Sequence, residues 1–89
     1  MAVYCVSYDL IDDKKYEKLF EKIKSYGYYA HAQESLWFVK TSKTAEELRD
    51  ELRAVVDKDD KIIVIKVVLP WASLNLPKEV NDWLNQVDF

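Results

Sequence analysis

The chain has 89 residues, with 13 Lys and Arg against 16 Asp and Glu, a net charge of −3 and 49% hydrophobic residues. That length holds one domain and one core burying about 60% of the unfolded surface, and the acidity argues against a large nonspecific nucleic-acid surface while leaving room for a local basic strip. A single cysteine, Cys5, excludes a disulfide framework and a thiolate metal cluster. The apolar stretch at 67–76 is interrupted by Pro70 and Ser73 and falls far short of the ~20 residues that span a bilayer. No secretory leader pattern is visible, so a cytoplasmic protein with no membrane segment is expected.

The run Val3-Tyr4-Cys5-Val6-Ser7-Tyr8-Asp9 is apolar on both alternating faces and predicts a central strand. It ends on a carboxylate. A charge at the mouth of a buried strand costs desolvation unless it meets water, a metal or a donor, so Asp9 is either an aspartate that turns the chain toward a helix or a magnesium ligand. Asp12 or Asp13 can cap a first helix, in which Tyr16, Leu19, Phe20 and Ile23 recur at helical spacing with lysines and glutamates on the wet side. Gly27 takes the left-handed cap that closes this helix.

Residues 28–40 predict two short strands that break near Glu34-Ser35, and Thr44-Ala45-Glu46-Glu47 is a capping box opening a second helix. Leu48, Leu52, Val55 and Val56 form its buried stripe, Asp57-Lys58-Asp59-Asp60 is a turn, and 61–68 is another strand, apolar on both faces. Beyond it a loop with Trp71 leads to Pro77 at the start of a short terminal helix carrying Val80, Trp83, Leu84 and Val87.

The order βαββαβ predicts an α+β, ferredoxin-like sandwich over the whole chain, with 69–89 as a C-terminal extension. Two helices cover one sheet face. The other face is also apolar, so either the extension with Trp71 and Trp83 or a second subunit must cover it, and a homodimer is the favoured expectation.

In this topology the last strand runs antiparallel beside the first, placing Asp9 near Asp59-Asp60. Three carboxylates at one edge suit a hard divalent cation, although Asp59-Asp60 alone reads as an ordinary turn. His31 is the only histidine and excludes a histidine metal cluster within the chain. Ser35 is either a phosphate-binding hydroxyl or a strand-break residue. Lys14 and Lys15 at a helix start are placed to meet an anion, or to form a solvated face.

The segments Val6-Ser7-Tyr8-Asp9-Leu10, Asp13-Lys14-Lys15, Gly27, Ser35-Leu36-Trp37 and 44–56 resemble the small CRISPR adaptation endonuclease family, the non-integrase partner in spacer acquisition, over about residues 2–68. Glu34-Ser35-Leu36-Trp37-Phe38-Val39 and Trp71-Ala72-Ser73 are similar to its stand-alone SinR-like branch, with VapD-type ribonucleases as more distant relatives. The resemblance implies a ferredoxin-like homodimer in which Asp9 faces its twin and the pair holds magnesium for hydrolysis of RNA or DNA phosphodiesters. It further implies that Ser35 assists the phosphate and that Lys14, Lys15 and Lys18 contact nucleic acid. The chain departs from the family in its mixed lysine and acid first helix and in residues 71–89, where family members use the tail to dimerise and dock the integrase. A non-catalytic dimeric module binding a protein or nucleic acid is the competing reading.

Overall fold

The structure is a computed structural model describing residues 1–12 and 15–89, with Lys15 described by its backbone alone. The elements are β1 (Ala2–Asp9), α1 (Lys15–Lys24), β2 (Tyr28–Gln33), β3 (Leu36–Thr41), α2 (Ala45–Arg53), β4 (Lys61–Lys66) and α3 (Lys78–Gln86). The four strands form one antiparallel sheet in the order β2-β3-β1-β4, with β1 central as its two-sided apolar pattern requires. This is the ferredoxin-like arrangement expected from the sequence.

Alternation along β1 sorts the core. Tyr4, Val6 and Tyr8 point to the helix side, where with Trp37 and Val39 of β3 they pack on Leu19 and Ile23 of α1 and Leu48 and Leu52 of α2. The expected cap of α2 and the glycine that closes α1 are present, while the Asp13 alternative for the α1 cap lies outside the described residues. Thr44 accepts from the Glu47 amide and the Glu47 side chain accepts from the Thr44 amide, satisfying two otherwise orphaned donors of α2. Gly27 has φ of 89°, the left-handed geometry that glycine takes without steric cost. The helical stripe is shorter than expected: α2 ends at Arg53, so Val55 and Val56 pack against the core from the turn after it.

The face away from α1 and α2 is covered in part. The chain returns after β4 and lays α3 over β2 and β3, where Val80 and Leu84 bury against Ala30 and Ala32, flanked by Leu36, Phe38, Trp71, Leu76 and Trp83. Toward β4 the described residues leave this face open: Ile63 and Ile65 are 55% and 53% exposed, whereas on the same side of β1 Val3 is buried and Cys5 and Ser7 are half-buried. Of the two covers expected, the tail takes one half of the face. β4 is an edge strand whose apolar residues on this side are open to solvent, unlike the doubly buried strand the sequence pattern implied.

Candidate functional site

Asp9 ends β1 with its side chain on the open half of the sheet, because it continues the row Val3, Cys5, Ser7 that points away from the helices. It is exposed, so water bears the cost of its charge. Directly across the β1–β4 ladder stands Lys61, and the next pair along the same row is Ser7 with Ile63. These four residues line one shallow depression. Lys61 is exposed too and makes no salt bridge within 4.0 Å among the described residues. An ammonium directly opposite a carboxylate on one face is a favourable cross-strand pair, and here both heads stay available to a ligand.

The β2–β3 turn brings Ser35 to the same end of the sheet: the Tyr8 amide donates to the Ser35 carbonyl at 3.2 Å, one residue before Asp9. A short relay fixes this turn. The Trp37 indole donates to the Tyr8 hydroxyl at 3.0 Å, which donates in turn to the Glu34 carbonyl at 3.0 Å. Burial pushes the Tyr8 phenol up to about 12, so it remains a donor through the neutral range. His31 stacks flat on Trp37, with ring centroids 4.0 Å apart, and its Nε2 lies 3.4 Å from the same carbonyl.

The neighbouring aspartates behave as turn residues. Both carboxylate oxygens of Asp60 accept backbone amides, from Ile11 and Asp57, each at 2.8 Å, and among the described residues no three metal-ligating side chains cluster. The cluster of Asp9 with Asp59-Asp60 considered from the sequence is thus replaced by a lone exposed carboxylate beside a lysine. Lys18 is exposed on α1; Asp13, Lys14 and the side chain of Lys15 lie outside the described residues. Cys5 sits mid-strand, where burial pushes its thiol pKa up and keeps it protonated. Lys61 was not among the residues expected from the sequence. Its signal was available, since the antiparallel pairing that places residues 59–60 near Asp9 sets Lys61 opposite it.

A family model described as CRISPR associated protein Cas2 matches residues 1–72. The crystal structure of a hypothetical protein, TT1823, from Thermus thermophilus is also similar, with a TM-score of 0.71 at 28% identity, covering 85% of this chain and 94% of that one. The family match spans β1 through β4 and stops before α3. No helix among the described residues is long and apolar enough to cross a membrane.

Proposed function

This chain belongs to the CRISPR associated protein Cas2 family, and from that premise we propose that it is a metal-dependent endonuclease that hydrolyses RNA or DNA phosphodiesters as a homodimer. The observation that carries the reading is the placement of Asp9, exposed at the end of the central strand on the half-face that the tail leaves bare, beside Ile63 and Ile65. A second copy docked on that half-face covers the isoleucines and brings its own Asp9 toward the first.

The donor set fits magnesium as a half-site. A hard cation takes oxygen ligands and keeps several waters, and one carboxylate from each copy meets that need where a single chain offers no cluster of three among the described residues. Magnesium, when bound, supplies an acidified water and offsets phosphate charge. The chain's own residues do the remainder. Lys61, opposite Asp9, neutralises a non-bridging phosphate oxygen, and Ser35, whose backbone carbonyl is held beside the end of β1, offers its hydroxyl to another. Lys18, exposed on α1, and its sequence neighbours Lys14 and Lys15 supply the positive charge that draws in the backbone.

The test is cleavage of short RNA and DNA oligonucleotides by the purified protein with magnesium and with chelator. Asp9→Asn is expected to lower the rate at least about 100-fold, and chelator to stop it. Cleavage that survives either treatment overturns the metal mechanism. In parallel, magnesium or manganese should raise the melting temperature of the native protein and leave that of Asp9→Asn unchanged, because a ligand stabilises only the state that binds it.

A further inference from the structure

The helix side of the same sheet end holds a second depression that the cleavage chemistry leaves unused. It has a volume of about 430 Å³ and is lined by Tyr16, Phe20, His31 and Glu34, within the ~300–1,000 Å³ typical of small-molecule sites. Three of its four walls are rings. Phe20 lies 5.3 Å from His31 and 6.0 Å from Tyr16, centroid to centroid. The walls are fixed before any ligand arrives: His31 is stacked on Trp37, and the Glu34 carbonyl is held by the Tyr8 hydroxyl. The Glu34 carboxylate is exposed and takes no hydrogen bond or ion pair among the described residues.

Rings with one unengaged acceptor suit a flat aromatic ligand that carries donors on one edge. A nucleobase is such a ligand. Tyr8 stands at this end of the sheet, with the ring depression on its helix side and the Asp9 depression opening on the opposite face. It lines the Asp9 depression, and its ring lies 5.8 Å from Tyr16 and 6.1 Å from Phe20. Among the bases only guanine presents two adjacent donors, N1–H and the 2-amino group, to a carboxylate with two acceptor oxygens. Adenine and cytosine pair one donor with an acceptor, and uracil flanks its single donor with two carbonyls.

We propose that the depression formed by Tyr16, Phe20, His31 and Glu34 is a subsite for an unpaired guanine, stacked on the rings and read by the Glu34 carboxylate. Its ring and carboxylate chemistry does not rest on the nuclease reading.

The test is a metal-free NMR titration of the isotope-labelled full chain with GMP, IMP, AMP, CMP, UMP and arginine amide, following the amides of Tyr16, Phe20, His31 and Glu34. GMP is expected to shift these amides saturably and to bind about tenfold more tightly than IMP, which lacks the 2-amino donor; a charge-assisted hydrogen bond has about that effect. Glu34→Gln should weaken GMP about tenfold and bring it level with IMP, and His31→Ala should weaken every base to a similar degree. Absence of GMP shifts at these residues, equal binding of all five nucleotides, or tighter binding of arginine amide than of GMP would each overturn the subsite. The titration requires no cleavage, so the two readings fail separately. GMP binding in a protein that cleaves nothing removes the nuclease and keeps the subsite, whereas cleavage without GMP binding removes only the subsite.

Discussion

The two halves of the sheet face opposite α1 and α2 differ in what covers them, and side-chain size accounts for the difference. On β2 the residues facing that side include Ala30 and Ala32, which are small enough for α3 to approach and bury Val80 and Leu84. On β4 the equivalent positions are Ile63 and Ile65, which the described residues leave more than half exposed. Small residues on a strand thus mark where the chain's own helix lies. Large aliphatics left open mark where the chain stops covering itself, and Asp9 stands on that side.

The largest expected effect breaks the covered half. Leu84→Ala removes a side chain that is 3% exposed and should cost about 2–5 kcal/mol, the usual range for a truncated core leucine. Denaturant melts measure it, and a loss below about 1 kcal/mol would mean that α3 is not docked on the sheet. Next is Tyr8→Phe, which severs the relay between Trp37 and the Glu34-Ser35 turn. It leaves the indole N–H of the buried Trp37 without its acceptor, at an expected cost of about 1–3 kcal/mol. It should also loosen the turn, read as faster amide exchange around Ser35. Unchanged stability and exchange would show that the turn holds without the relay.

The open half should respond differently. Ile63→Ser with Ile65→Ser removes exposed aliphatics, so the stability of the diluted chain should change by no more than about 0.5 kcal/mol per site. Under the dimer reading the same pair of changes shifts the mass measured by light scattering at micromolar concentration from two chains to one. A native protein of monomer mass would break that reading at once, and a dimer that survives both changes would place the interface elsewhere.

Much of this was legible in the sequence because the signals were local. The apolar run to Asp9, the Thr44 capping box and the break at Glu34-Ser35 each depend on a few consecutive residues, and each stands where expected. What escaped depends on pairing between distant segments. Lys61 becomes a site residue only through its register with Asp9, and His31, notable in the sequence only as the single histidine, gains a place in a pocket wall only because β2 sets it over Trp37. The divided far face escaped because alternation says that a strand is two-sided without saying which strand the tail will reach.

The smallest effect checks that the helix side is independent of both halves. Glu51 on α2 is held by the Lys43 ammonium at 2.8 Å and by the Tyr26 hydroxyl at 2.6 Å, with Lys22 at 3.7 Å, and these partners lower its pKa from 4.5 to about 2. A carboxylate depressed in the folded state contributes stability above its unfolded pKa and loses it as pH falls through the folded one, so this contribution fades between about pH 4.5 and pH 2. The ion pairs are solvent-accessible, so the effect is modest and screened by salt. Glu51→Gln should flatten stability against pH in that window, and a variant with an unchanged acid slope would remove Glu51 as its source. Leu84→Ala and the double serine variant should each keep the native slope, since distant sites contribute additively. If either variant alters the slope, that half of the far face is coupled through the sheet to α2, and the two sides of the molecule do not act as separate layers.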